Sequence, residues 1–354
     1  MLRAFPFLLA ALLSAQPAPD KDLTIDATER KTAIDGVLQA LDKRYVFPEV
    51  AKKMETAIRD RQSKGEYDTV TSAAEFARLL TTHLQEISKD KHLRVRHSYE
   101  PIPERPENNR QPTKEEIEEF RARMAKDNFG FERVERLPGN VGYLDLRGFF
   151  SAAFGAETAV AAMNLLSNSD ALIVDLRRNG GGDPAMVALI SSYLFDDVTH
   201  LNDLYFRPAD STRQWWTLPF VPGKKLAGKP VYVLTSNRTF SAAEEFTYNL
   251  KNLKRATIIG ETTGGGAHPG GTTRLSPHFQ AFIPTGRAIN PISKTNWEGT
   301  GVTPDIPLNQ EAALKTAHLM AVKKIRETEK DKRLVSQLEG LIQTLEKEAE
   351  ALRK

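Results

Sequence analysis

Ala171-Leu172-Ile173-Val174-Asp175-Leu176-Arg177-Arg178-Asn179-Gly180-Gly181-Gly182-Asp183-Pro184 decides the fold. Its first six residues are apolar except for Asp175, the pattern of a strand buried on both faces. A turn built on three glycines follows, and then a helix over 184–194. The same unit recurs on either side. Val141–Leu146 reads as a strand and 158–166 as a helix. Residues 230–234 read as a strand, 241–250 as a helix and 257–259 as a strand. Strand and helix alternate, so the chain is an α/β protein with a largely parallel sheet. Residues 272–275 and 280–284 add strands, whereas 200–229, with Trp215 and Trp216, reads as an irregular edge excursion.

Upstream, three apolar stripes at helical spacing occupy residues 26–87. Ile34, Val37, Leu38 and Leu41 form the first, and Val50, Met54, Ala57 and Ile58 the second, after Pro48. Phe76, Leu79, Leu80, Leu84 and Ile87 form the third, entered by the capping box Ser72-x-x-Glu75. This predicts a small helical N-terminal domain over 20–98. A linker over 99–138 carries Pro101, Pro103, Pro106 and Pro112, then a short charged helix from Thr113 to Lys126. Residues 101–126 are a candidate flap. The α/β core spans 139–309, and 310–354 is helical. Leu334, Leu338, Leu341, Leu345 and Leu352 fall in coiled-coil steps, but over fewer than three heptads, so a helix packed on the body is the preferred reading.

The chain has 354 residues and no Cys, and 49 Lys+Arg against 46 Asp+Glu leave a net charge of +3. Thiol nucleophiles, disulfides and zinc–thiolate sites are excluded. The mixed charge forms no basic stripe, so no nucleic-acid partner is expected. Residues 1–18 combine a basic start, an apolar run and small residues, and read as a secretory signal rather than a buried helix. An exported protein, periplasmic or extracellular, is therefore expected. No stretch is long enough to span a bilayer.

Ligands of open α/β sheets bind beyond the carboxyl ends of strands. Two glycine-rich turns lie there, 180–182 and 264–266. Backbone amides at such turns hold a phosphate or an oxyanion, but neither a Gly-Lys-Ser/Thr nor a G-x-G-x-x-G supports phosphate. Ser241 sits where a loop enters a helix. Ser241-x-x-Glu244 is itself a capping box, which gives it a purely structural role. The chemical role is a nucleophile beside the triple glycine, with Ala242 donating its amide. No G-x-S-x-G elbow is present.

Three stretches together resemble the serine peptidases that include C-terminal processing peptidases, tricorn core protease and the modules of interphotoreceptor retinoid-binding protein. They are 175–183, then 235–245 running into 255–264, and 299–305. The resemblance implies a crotonase-like (ClpP-like) β-β-α superhelix. It extends to Asp90-Lys91-His92-Leu93 and the helical start, as in the tricorn and retinoid-binding branch. No PDZ-like segment is present. Processing peptidases pair their Ser with a Lys, but Gly266 stands at that position. The tricorn-like branch implies His92 as base and Glu298 as supporting carboxylate. Lys91 stands where that branch has a second Ser. Gly181, Gly182 and Ala242 are the implied oxyanion donors, the choice between the glycines staying open.

His268, in the second glycine turn, is the alternative base. His83 lies in an apolar stripe and reads as a core-edge residue, and His97, five residues after His92, falls on the opposite face of a strand. His200, His278 and His318 read as surface or packing residues. No metal motif and no cofactor are expected. The functional expectation is a serine peptidase acting on peptides or unfolded proteins. A carrier of apolar ligands and an esterase are the alternatives. Edge strands and the C-terminal helix leave surfaces for an oligomer.

Overall fold

The computed structural model describes residues 21–104 and 113–352. The secretory segment expected over 1–18, and Pro106 and Pro112 of the linker, lie outside them. Along the chain run α1 (Ala27–Arg44), α2 (Pro48–Ser63), α3 (Ala73–Ser88), β1 (Arg94–His97) and α4 (Lys114–Lys126). Then come β2 (Phe131–Leu137), β3 (Val141–Leu146), α5 (Ala152–Leu166), β4 (Ala171–Asp175) and α6 (Pro184–Ser192). β5 (His200–Phe206), β6 (Ser211–Trp216), β7 (Val231–Thr235), α7 (Ala242–Asn252) and β8 (Thr257–Gly260) follow. The chain ends with β9 (Gly270–Arg274), β10 (Phe279–Pro284), β11 (Gly286–Ile289), β12 (Ile306–Pro307), α8 (Gln310–Thr328) and α9 (Lys332–Ala351).

The chain divides into two compact units. Among the described residues, the first joins 21–104 with Leu204–Arg213 and His268–Ile289, and the second holds the rest. Helical starts in the first unit follow local chemistry. Asp26 and Glu29 form a reciprocal capping box, Pro48 opens α2, and Ser72 accepts the Glu75 N–H. The three stripes meet in one core, where Ile34, Leu41, Met54, Ile58, Phe76 and Leu80 are all within 1% of complete burial. That core is closed by the antiparallel sheet β1–β10–β9, whose Phe279 stands edge-on to Phe76 at 5.6 Å.

The second unit carries a six-stranded sheet in the order β12–β8–β7–β4–β3–β2, parallel except for β2. β4 is buried along its whole length, as its apolar run requires. Its alternate side chains serve two cores. Leu172 and Val174 face α5, α6 and α7. Ala171 and Ile173 face Ala313, Ala317 and Val322 of α8 and Leu338 and Leu345 of α9. The sheet is thus covered on both faces, the C-terminal helices supplying one layer. Leu334 and Leu352 remain 44% and 39% exposed, so α9 packs on the body and forms no leucine seam.

Two expectations are corrected. Residues 200–229 hold β5 and β6, in a three-stranded sheet with β11, in place of an irregular excursion. β6 is exposed along nearly all its length, so no apolar alternation marks it. β1 begins at Arg94, so His92 lies in the preceding turn and strand alternation says nothing of its face relative to His97. The strands β1 and β2 carry charged residues at most outward positions, which hid them from a hydrophobic reading. Among the described residues, no helix is long and apolar enough to cross a membrane.

Candidate active site

In the second unit, register gathers the sequence motifs. Asp175 pairs with Leu234, and Thr235 pairs with Gly260, so β4, β7 and β8 end at one edge. The three turns that leave this edge are the triple glycine, the approach to Ser241 and the second glycine turn. Parallel strands put their following loops side by side, which is why ligand sites form there.

The first turn is pinned by Asn179, which is fully buried. Its Nδ2 donates to the Leu146 carbonyl at 2.9 Å, and its Oδ1 accepts the Gly181 N–H at 2.9 Å. Gly181, at φ +106°, has its Cα against the next turn. A Cβ there would lie 2.6 Å from Ser241 Cβ and 2.9 Å from the Ala242 nitrogen. Only glycine permits that approach. Ser241, Gly181 and Ala242 are therefore brought together.

Ser241 is not an ordinary helix cap. The caps of α1, α3, α4 and α8 are all extended, whereas Ser241 has φ +55° and ψ −122°. A non-glycine residue held there costs about 1–3 kcal/mol and persists only where its surroundings over-determine it. Such strain at a strand-to-helix turn is the device that exposes the nucleophile in elbow-type hydrolases.

Glu244 binds this turn to the next. Its Oε2 accepts the N–H groups of Ser241 (2.9 Å) and Gly266 (2.8 Å). Its Oε1 accepts the Gly265 N–H (2.6 Å) and the Thr263 hydroxyl (2.5 Å). Glu244 is fully buried, and burial pushes its carboxyl up to about 7 against the pull of these four donors. The second glycine turn is also held from the third motif. Trp297 Nε1 donates to the Gly266 carbonyl at 2.7 Å, and the Ala267 N–H donates to Glu298 Oε2 at 2.5 Å. Glu298 thus anchors the peptide that immediately precedes His268.

His92 and His268 belong to the first unit. Asp90 is fully buried there between them in chemistry if not in sequence. Its Oδ1 accepts the His92 backbone N–H at 3.0 Å. Its Oδ2 lies 2.7 Å from His268 Nδ1 and accepts the Tyr45 hydroxyl at 3.1 Å. A carboxylate only accepts, so Nδ1 of His268 carries the proton of the neutral ring and Nε2 the lone pair. Phe47 meets the His268 ring edge-on at 5.3 Å. The His92 ring instead stacks on Phe282 at 5.7 Å, and burial pushes its imidazole down to about 4. Asp90 and Glu244 are the residues that motif reading passed over. Asp90-x-His92 and Ser241-x-x-Glu244 were their local signals.

Three of the remaining histidines have structural partners. His83 Nδ1 meets the Tyr67 hydroxyl at 2.9 Å, His200 stacks on Trp216 at 4.2 Å, and His318 Nε2 meets the Pro138 carbonyl at 2.8 Å. Next to Glu244, Glu245 is almost completely buried, and burial, with Asp183 adding, pushes its carboxyl up to about 8 while Asn202 opposes. The folded chain then holds a proton that the unfolded chain releases near pH 4.3. Stability is expected to fall as pH rises from about 4.5 to about 8. Unfolding temperatures at pH 5.5, 7 and 8.5 should decline in the parent, and less steeply in Glu245→Gln.

Comparison with known proteins bears on these motifs. Residues 140–308 match the family described as "Peptidase family S41". Residues 23–131 match "N-terminal domain of Peptidase_S41 in eukaryotic IRBP". Carboxyl-terminal-processing peptidase 2, chloroplastic, of Arabidopsis thaliana is 28% identical over 190 residues, 50% of this chain and 34% of that protein. A carboxy-terminal-processing protease of Bartonella bacilliformis is 28% identical over 186 residues, 49% of this chain and 40% of that protein. The matched stretch thus covers well under half of either relative. A solved lipoprotein structure from Streptococcus agalactiae shares the fold, with a TM-score of 0.55, 15% identity, and coverage of 90% of this chain and 100% of that one. Between them the two family matches take in most of the chain, from the helical start through the three motifs of the α/β sheet, and the chain belongs to peptidase family S41.

Proposed function

We propose that this chain is an exported serine peptidase that hydrolyses peptide bonds in peptides or unfolded proteins, on a crotonase-like scaffold. The observation that carries the reading is the left-handed backbone of Ser241 at the start of α7, packed on Gly181. Strain of that kind serves no capping purpose, since an extended cap would begin the helix at no such cost.

Ser241 Oγ attacks the scissile carbonyl carbon while an imidazole takes its proton. The developing oxyanion accepts hydrogen bonds from backbone amides. Asn179 occupies the Gly181 N–H, which favours Gly182 and Ala242 as the donors. The C–N bond then breaks as the imidazolium returns its proton to the leaving amine. Water, deprotonated by the same imidazole, then attacks the acyl carbon, and the imidazolium returns that proton to Ser241 Oγ as the ester C–O bond breaks.

The family resemblance offers His92 as the base. The bond between Asp90 and His268 Nδ1 favours His268 instead, because it presets the tautomer and orientation that a base needs. Glu298 then serves by fixing the peptide before His268.

The test is a fluorophosphonate probe on the full chain, with the adduct located by mass spectrometry, beside cleavage of labelled casein. Labelling at Ser241 with casein cleavage is expected. A chain that binds retinol or fatty acid, and neither labels nor cleaves, is a carrier. One that labels and cleaves only activated esters is an esterase.

A further inference from the structure

We infer that Glu244 is the positioning residue that holds Ser241 in its attacking conformation, and that it does so on behalf of the loop 263–266. This rests on the reading of Ser241 as nucleophile. The Ser241 backbone is left-handed, so something beyond the helix must keep it there. Its N–H goes to Glu244, and its own carbonyl accepts the Glu245 N–H at 2.9 Å, as a helix start requires. The Glu244 bond is the reciprocal half of a capping box, and what does not come from helix formation is the hold that residues 263–266 have on Glu244. An N3 glutamate of a capping box ordinarily reaches back from a solvated surface. This one is buried and receives three further donors, all from residues 263–266.

The donor count is what makes the link specific. The ionised carboxylate presents about four lone-pair sites on two oxygens, and four donors fill them, two on each oxygen, which leaves no acceptor for a carboxyl proton and favours the ionised form against the upward push of burial. Glutamine has the same shape but one acceptor oxygen. Its NH₂ would face two donors with nothing to accept them. Aspartate is one methylene too short to reach residues 263–266 from α7. Thr263 extends the arrangement, since its hydroxyl also accepts the Val302 N–H at 2.7 Å while donating to Glu244. The third sequence motif thereby reaches the nucleophile through two side chains.

Glu244→Gln in the full chain should react with the fluorophosphonate about 100-fold more slowly than the parent. Its kcat on a fluorogenic peptide should fall by a similar factor with KM within about threefold, because the substrate-binding surface is untouched. Exchange of the Ser241 amide hydrogen, read by mass spectrometry, should accelerate. Thr263→Val should slow acylation about tenfold, and Thr263→Ser should restore it. Parent-like acylation in Glu244→Gln overturns the inference. If Glu244→Gln fails to fold, the Thr263 pair decides, and equal acylation of Val and Ser variants overturns it. If the parent itself is not labelled, the nucleophile reading fails separately. Amide exchange then decides the positioning role, unchanged Ser241 protection overturning it.

Discussion

Ser241→Ala is expected to abolish peptide hydrolysis, with a loss of at least about 10⁴-fold in kcat, and to leave the unfolding temperature within about 1 °C of the parent. Alanine removes the oxygen but keeps a Cβ at φ +55°, so the backbone strain stays. Ser241→Gly makes the sharper comparison. It removes the same oxygen and also the steric cause of the strain. A net gain of about 1 kcal/mol, or roughly 2–3 °C, is expected after the added freedom of the unfolded chain is subtracted. Inactive, unshifted alanine and inactive, stabilised glycine variants would together identify a residue held in an unfavourable conformation for chemistry. Casein cleavage by Ser241→Ala at the parent rate would remove Ser241 from the mechanism. An unchanged or lower unfolding temperature in Ser241→Gly would mean that the conformation stores no strain.

Asp90→Asn is expected to lower kcat by about 10³–10⁴-fold, and His268→Ala to lower it at least as much. Asparagine keeps the shape of the side chain but can present an NH₂ to His268 Nδ1, which reverses the ring tautomer and moves the lone pair away from Nε2. His92→Ala should lose no more than about tenfold, because its backbone N–H, which any residue supplies, is what reaches Asp90. The opposite ranking, with His92→Ala inactive and His268→Ala active, would assign the proton transfer to His92. The pH profile separates them independently. A base held at about 4, as burial holds His92, would leave kcat/KM at its plateau at pH 5. A plateau reaching that far into acid would therefore also assign the step to His92.

How much of this could be read along the chain differs from element to element. β4 was legible because burial on both faces makes its residues apolar in an unbroken run, and α1, α2 and α3 because each buries a single stripe. β6 was not, since an exposed strand has no apolar period to detect. Ser241 was legible as a residue type at a loop-to-helix junction. Its conformation was not, because Ser-x-x-Glu ordinarily encodes an extended cap. Close approach by Gly181 and capture of Glu244 by residues 263–266 accompany the left-handed turn instead. The partner of Asp90 was harder still. Asp90 stands two residues from His92, yet its carboxylate bonds the ring of His268, 178 residues further on.

The order of strands and helices, the three loops at one sheet edge and the family itself follow from the amino-acid order, because periodic burial and turn chemistry act over a few neighbouring residues. Which carboxylate meets which imidazole, and which loop captures Glu244, were decided only when the chain closed on itself. Those hydrogen bonds join donors and acceptors that no local pattern relates, and their geometry comes from the packing of the elements that carry them.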